Sequence, residues 1–431
     1  MYFISYILLS VALMARTSMG QPPEAFMHGE GSSMGGGPPP GAFMNAHEPQ
    51  AVDLSLVKEE FDRCNSEIID VHLHDAFWFN SADPLLEEMK LSHVSRGLML
   101  SVYGPIANPF SGDPNEVTES IVNGSNGRIF GLASLNTTIP DWENHGEQEL
   151  ERLATFLAKK PGFVGGKVAA PHTCLPLNSD IMRDVVRTIS ESPSPVVFLH
   201  IGTTPFCGPM GEQVFGRPAC CGPEFVDPTY LEDLIQKFTD TTFILVHAGA
   251  DFLPPNSEHF YHGENVDKSV MLAETYDNVY LEISAFLRQG PNGTDVYTEG
   301  THILDKIADA GLASKTIYGS DVNHAPHAIG SYLATTLDKF IAAGFDEEER
   351  CMMFSGNAIK AFGLELGETE APQPPMDSEE HGEEDNGNHV EEASGLDDVA
   401  DYLSSSGAGM FMTNVASNIA MALAPFAFVL F

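Results

Sequence analysis

Eight short apolar runs recur along the middle of the chain and predict strands at Ile68–Leu73, Gly97–Tyr103, Ile129–Ser134, Phe163–Ala169, Val196–Leu199, Phe243–Val246, Val279–Ile283 and Thr316–Tyr318. Amphipathic stretches between them predict helices at Leu85–Leu91, Glu116–Val122, Gln148–Lys160, Asp180–Ser190, Tyr230–Phe238, Asp267–Tyr276 and Thr301–Ala310, with a further helical stretch after the eighth strand. Apolar runs alternating with amphipathic segments are the mark of a parallel sheet wrapped by helices. Eight such repeats between Leu54 and Leu364 fit a closed (β/α)8 TIM barrel of ordinary size, forming a single catalytic domain over 51–364. An open doubly wound sheet is the rival. No Gly-x-Gly-x-x-Gly follows the first run, and the polar residues that close the runs are spread over strands one, four, five, six and eight, which only a closed barrel gathers in one place.

Six side chains stand at the downstream ends of these runs: His72, His74, Lys167, His200, His247 and Asp321. Barrel enzymes carry their catalytic groups there. In Glu67-Ile-Ile-Asp-Val-His-Leu-His74 the two histidines are two positions apart, so on a strand both imidazoles share a face and one metal ion can take both. Left without polar partners, each would cost roughly 2–7 kcal/mol to desolvate. Any one of these histidines alone reads as a satisfied structural side chain; the set does not. Asp70 shares the face of His72 and is expected to orient a ligand from behind. Trp78, Arg288, His324 and His327 fall in loops above the proposed site, and His172 comes after the fourth strand; each is a pocket candidate with a surface position as the alternative. No Gly-x-Ser-x-Gly elbow follows any of the predicted strands, which argues against a serine hydrolase.

Taken together, Ile69-Asp-Val-His-Leu-His74, Val197-Phe-Leu-His-Ile-Gly202, Val246-His-Ala-Gly249, Tyr318-Gly-Ser-Asp321 and Ser355-Gly-Asn-Ala358 resemble the amidohydrolase superfamily, in its amidohydrolase-related branch. That branch includes aminocarboxymuconate semialdehyde decarboxylase, related decarboxylases and several lactone hydrolases. The resemblance implies that His72, His74, His200 and Asp321 ligate one divalent metal, zinc, leaving a position for water whose pKa falls towards about 7. It implies Asp321 as acceptor of the water's proton and His247 as the group beside the metal that polarises or protonates the substrate. Lys167 lies on the strand where binuclear relatives use a carboxylated lysine to bridge two metals; a buried ammonium paired with a carboxylate is the alternative. The expected function is metal-dependent hydrolysis of a lactone, ester or amide. Non-oxidative decarboxylation on the same site is the alternative, but it needs a cation for the carboxylate, and the candidates are few: Arg96, Arg217 and Arg288. A catalytically inactive extracellular binding protein is the third reading, weakened because every expected ligand position is filled. The branch also implies a homodimer, which nothing in the chain locates.

Composition changes the picture mainly at the ends. The chain has 431 residues and a formal net charge of −40, with 21 Lys plus Arg against 61 acids, a balance unsuited to nucleic acid, while the resemblance implies a small-molecule substrate. Fourteen of those acids lie between Glu365 and Asp401 with no Lys or Arg among them, so 365–406 reads as a solvated acidic stalk. Residues 1–20 read as a signal peptide, Phe3–Ala15 being apolar and followed by Ser18-Met-Gly20. Residues 21–50, rich in Gly, Pro and Met, read as a flexible arm. Small residues at Ser404–Gly409, a spacer and the apolar end Ile419–Phe431 read, over 407–431, as a signal for a GPI lipid anchor attached at Ser405 or Ser406. A single transmembrane helix is the alternative, though the apolar part is short of the roughly 20 residues a span needs. Either places the protein outside the cell, on the plasma membrane. Sequons at Asn123, Asn136 and Asn292 and the even cysteine count agree with that compartment. Cys207, Cys220 and Cys221 share one Gly/Pro-rich loop after His200, so a local staple among them is expected.

Overall fold

The computed structural model describes residues 53–74, 81–103, 113–137, 142–207, 211, 219–253, 257–285, 300–322 and 328–364. All belong to one compact unit, 1–367; the second unit, 368–431, lies outside them, as do the expected signal peptide, arm, stalk and anchor with Ser405 and Ser406.

Eight parallel strands run in chain order: β1 (Ile69–His74), β2 (Arg96–Leu100), β3 (Ile129–Ala133), β4 (Phe163–Val168), β5 (Val196–His200), β6 (Thr242–Val246), β7 (Val279–Ile283) and β8 (Thr316–Tyr318). Each pairs with the next, and a parallel bridge between Leu73 and Val322 joins the last segment to the first. The main helices are α1 (Ser55–Arg63), α2 (Ala82–Leu91), α3 (Pro114–Gly124), α4 (Trp142–Lys159), α5 (Asp180–Ser190), α6 (Glu232–Lys237), α7 (Glu264–Thr275), α8 (Gly300–Asp309), α9 (Ala328–Ala342) and α10 (Asn357–Phe362). The architecture is the expected (β/α)8 barrel, built in the simplest order.

Two apolar clusters explain why the runs read as continuous rather than alternating. One packs outward strand positions such as Val197, Leu199, Phe243, Leu245, Leu281 and Tyr318 against the helices. The other gathers the alternate positions, Leu98, Leu132, Val196, Phe198, Ile244, Val246, Tyr280 and Ile317, with Ala358, Ala361 and Phe362 of α10, and fills the barrel. A strand buried on both faces has no polar side to show. The helices obey the complementary rule: in α5, Met182, Val185, Val186 and Ile189 form one buried stripe, and the Ser179 hydroxyl caps the start by accepting from Met182 N–H at 3.1 Å.

Some boundaries differ from expectation for local reasons. β2 ends at Leu100, short of the expected run; beyond it the Ser101 hydroxyl donates to Thr118 Oγ1 (2.8 Å) and the Tyr103 hydroxyl to Asp113 Oδ1, tying the strand end to the start of α3. The predicted helix from Tyr230 is divided into a 3-10 turn at Pro228–Leu231, where Asp227 Oδ1 accepts from Thr229 N–H at 2.9 Å, and then α6. Helix α1 lies ahead of the first predicted element. It carries little apolar surface and is held by tertiary contacts: the buried Arg350 guanidinium donates to Glu60 (2.8 and 3.2 Å), and Cys64 is bonded to Cys351. Asn357 of the Ser355-Gly-Asn-Ala358 motif is structural, its amide donating to Ala313 O and Thr316 O, both at 2.7 Å, where β8 begins.

The expected staple after β5 is present as Cys207–Cys221, while Cys220 reaches back to Cys174 beyond β4, where Cys220 N–H donates to Pro171 O (2.9 Å) and the two segments lie side by side. Among the described residues no helix is long and apolar enough to cross a membrane.

The Cys64–Cys351 bridge closes a separation of 287 residues and ties α1 to the segment beyond α9. Replacing both cysteines by alanine is expected to lower the unfolding free energy by about 2–5 kcal/mol, read as an earlier urea midpoint, with the other two bridges intact. An unchanged midpoint would show that the Glu60–Arg350 pair alone secures α1.

Candidate metal centre

The downstream rim of the barrel collects the residues that the strand ends carry. His72 is buried inside β1, and its Nε2 lies 3.2 Å from His74 Nε2 and 3.3 Å from Asp321 Oδ1. His74 Nε2 is 3.0 Å from the same oxygen. These three donors form one compact group able to hold a metal ion. The two histidines converge despite a register shift between Asp70 and Leu73. His72, His247 and Glu282 form a second such group.

His200 stands beside rather than within the first group. Its ring centroid is 4.6 Å from that of His247 and 4.8 Å from that of His172, and its buried Nε2 has no hydrogen-bond partner. A buried nitrogen without a partner costs roughly 1–3 kcal/mol. Such an orphan, at the end of β5 and against the His247 ring that also stacks on His72, suits a divalent cation at a rim where two imidazole nitrogens and a carboxylate oxygen lie within 3.3 Å of one another.

The backbone supports this with unusual conformations. His247 (φ 61°), directly after β6, and Asp321 (φ 57°), after β8, both adopt the left-handed region, which costs a non-glycine residue roughly 1–2 kcal/mol. Such conformations concentrate where a side chain must be aimed. Two motif glycines answer to close approach: a Cβ on Gly202 (φ 86°) would fall 2.4 Å from Ala250 O, and one on Gly319 would fall 2.2 Å from Glu282 Oε1 and 2.7 Å from His72 Cβ.

Burial sets the charge states. His247 is pushed down to about 4 and His172 to about 3, chiefly by desolvation, so both rings are neutral near pH 7. His200 is likewise held well below its usual value by burial. Lys167, on β4, is lowered to about 8 by burial, against the attraction of Glu282 and Asp321, and its Nζ lies 4.8 Å from the centre of the Phe198 ring. Phe198 forms the floor, its ring edge-on to His72 at 5.3 Å and 6.3 Å from Phe362.

Two expectations about neighbours change, those for Asp70 and Arg96, while His172 takes its place at the pocket rim. Asp70 does not orient an imidazole: its Oδ1 accepts the backbone N–H groups of His72 and Ser320, both at 3.0 Å, and so stitches β1 to the segment after β8. Arg96 is not near the site, since it opens β2 at the opposite end of the barrel and its Nε donates to Glu67 Oε1 at 2.5 Å. His172 sits at the rim with its Nε2 3.0 Å from Thr204 Oγ1, positioned by the segment that the Cys174–Cys220 bridge ties down. Trp78, Arg217, Arg288, His324, His327 and Asn292 lie outside the described residues. Asn123 is exposed at the end of α3, and Asn136 is half-buried.

Glu282 is the residue that pattern reading passed over. It is fully buried in β7, with Oε1 3.2 Å from His72 Nδ1 and Oε2 accepting His247 N–H at 3.0 Å. Its signal was a lone acid inside Val279-Tyr-Leu-Glu-Ile283, a place where an acid is retained only with partners.

A parallel eight-stranded barrel carrying these groups at its strand ends is that of an enzyme with metal-dependent hydrolase architecture. The family model described as Amidohydrolase matches residues 69–364, and the chain belongs to that family. Among solved structures, a probable 2-pyrone-4,6-dicarboxylic acid hydrolase from Acinetobacter baumannii with citric acid bound is 18% identical, covering 69% of this chain and 100% of the other at a TM-score of 0.46. An amidohydrolase from Burkholderia multivorans with bound zinc is 13% identical over 69% of this chain and 100% of that one, also at 0.46. No curated protein matches the chain. Family membership rests on the first of these matches.

The folded His172 binds fewer protons than the unfolded chain between about pH 3 and 6.5. Its neutral form therefore supports folding fully above pH 6.5, and that support is lost as the pH falls towards 3. In the metal-free protein, the unfolding free energy of wild type relative to His172→Gln is expected to drop by on the order of 3 kcal/mol across that window. A constant difference would exclude a neutral buried ring.

Proposed function

We propose that the protein hydrolyses a C–O or C–N bond at a carbonyl carbon, in a lactone, ester or amide, at one zinc ion held by His72, His74, His200 and Asp321. The observation that carries this reading is the convergence of His72 Nε2, His74 Nε2 and Asp321 Oδ1 within 3.3 Å, with the partnerless Nε2 of His200 as a further donor at the same rim of the barrel. The ion, when bound, would supply Lewis acidity and a nucleophilic water near neutral pH.

The chain's own residues supply the rest. Asp321 takes the proton of the attacking water as the water oxygen bonds to the carbonyl carbon. When the C–O or C–N bond breaks, the leaving atom takes up a proton, and His247, neutral at pH 7 and lying against both His72 and His200, relays it. Phe198 and the buried surroundings keep bulk water from the floor of the site. Lys167 offers a positive charge to an anionic substrate or to the developing oxyanion. A bridging role for Lys167 would require a second metal. Decarboxylation lacks its cation among the described residues unless Lys167 serves, because Arg96 is committed to Glu67 at the far end.

The first test is metal content of the full-length protein by plasma mass spectrometry. About one zinc per chain is expected, with hydrolysis lost on chelation and restored by zinc. Asp321→Asn is expected to reduce kcat at least about 100-fold while the protein remains folded. A folded protein that neither contains nor takes up zinc overturns the reading, and two metals per chain would move Lys167 to a bridging position.

We propose further that the protein is held outside the cell by a lipid anchor at Ser405 or Ser406, on the strength of the terminal pattern alone. Phosphatidylinositol-specific phospholipase C is expected to release it from the surface of expressing cells. Retention after treatment would favour a transmembrane tail.

A further inference from the structure

The chain leaves β6 through a turn that ordinary side chains disfavour. His247 (φ 61°), Ala248 (φ 48°) and Gly249 (φ 83°) are left-handed in succession, and only the last is a glycine. Such a turn persists only where its surroundings hold it. We propose that Thr203, together with Asp251, holds it from the β5 side and, by fixing Phe252 against the imidazole, positions the His247 ring. The placement is read from hydrogen bonds and ring contacts; only its effect on turnover rests on the proposed hydrolase function.

Thr203 lies just beyond β5 and is fully buried. A hydroxyl has one proton and two lone pairs, and here both kinds are used. Thr203 Oγ1 accepts the Phe252 N–H at 2.8 Å and turns its proton towards Asp251 Oδ1 at 3.5 Å. Asp251 Oδ2 in turn accepts the Gly263 N–H at 3.1 Å, drawing together the two ends of the segment between β6 and α7. The turn itself is wedged between neighbours. Ala250 N–H donates back to His247 O at 2.9 Å, and a Cβ on Gly202, the residue before Thr203, would stand 2.4 Å from Ala250 O. On the other flank, a Cβ on Gly249 would fall 2.6 Å from Asn265 O of α7.

Among the described residues three rings lie against His247. His72 stacks on it at 5.2 Å, while His200 and Phe252 meet it edge-on at 4.6 and 5.1 Å. His72 and His200 belong to the donor set of the proposed ion, whereas Phe252 is held by the protein alone, through the Thr203 hydroxyl. Exchanging that hydroxyl for a methyl group leaves the Phe252 N–H and Asp251 Oδ1 short of a partner in a buried place, and the segment relieves this by drawing away from β5. The His247 ring then loses its edge-on wall. Thr203 and Asp251 are thus positioning residues, and neither needs to touch substrate.

The test uses full-length protein with histidine rings labelled with carbon-13, and the His247 signals are assigned by their disappearance in His247→Gln. Thr203→Val, which keeps the shape and removes the hydroxyl, is expected to move the His247 ring signals in the direction that Phe252→Leu moves them. Thr203→Ser, which keeps the hydroxyl, is expected to leave them in place. With dihydrocoumarin as the lactone probe, kcat of Thr203→Val is expected to fall about 10–100-fold while KM stays within about twofold, and Thr203→Ser is expected to restore it. Zinc content should be the same in all three proteins. Unmoved His247 signals in Thr203→Val overturn the proposal, as does equal loss in Thr203→Ser or a loss of zinc in Thr203→Val. Should Thr203→Val fail to fold, Phe252→Leu decides: unmoved His247 signals there also overturn it. A wild type that neither binds zinc nor hydrolyses the lactone, with His247 signals that move in Thr203→Val and not in Thr203→Ser, would sink the hydrolase reading and leave this placement standing.

Discussion

A carboxyl group inside an apolar barrel needs hydrogen-bond partners for its oxygens, and the downstream end of this barrel is organised around that demand at Glu282, whose burial raises its pKa. One oxygen faces His72 Nδ1; the other takes the His247 backbone N–H and the Ser284 hydroxyl. The same contacts aim two imidazoles. The acid, the serine and the rings therefore form one object, and a change in any member leaves another with an unmet polar atom in a medium that penalises it. Gly319 shows how tightly this is packed, since even a methyl group there would collide with Glu282 Oε1.

A second buried acid does a different job at the seam. β8 is only three residues long, and closure onto β1 depends on the segment Gly319–Val322 immediately after it. Asp321 N–H donates to His72 O at 2.8 Å, His74 N–H to Val322 O at 3.2 Å, and Asp70 takes Ser320 N–H, standing in for a missing carbonyl. Because Asp321 is bound to β1 through its own backbone, its carboxylate reaches the two β1 histidines without a loop to position it. Closing the barrel and assembling the candidate metal group are one event. Burial raises the Asp70 carboxyl to about 7, so the seam is built on an acid poorly solvated in its charged form.

The rim beyond β4 and β5 is secured by covalent means. Cys174–Cys220 and Cys207–Cys221 hold the segments that carry His172, Thr204 and Phe206. The His172 ring packs on both His200 and Phe206, so these bridges act on the wall of the site rather than on its donors. The third bridge serves only the outside of the barrel, by way of α1.

What the sequence determined by itself was the periodic part. Eight apolar runs, their order and the polar residue closing each are properties of neighbouring residues, and period and burial impose them locally; hence the barrel, the shared face of His72 and His74, and the placement of His200, His247 and Asp321 at strand ends were legible. What the tertiary structure alone decided were the pairings. Asp70 and Glu282 are both single acids in apolar strands, yet one fastens backbone and the other aims two rings. Arg96 falls at the wrong end of its strand, Cys220 crosses to Cys174, and α1 exists because Glu60 meets Arg350. Each of these depends on which groups are left without a partner once the barrel closes, and that is a property of three-dimensional proximity among residues up to 290 positions apart, which no local pattern encodes.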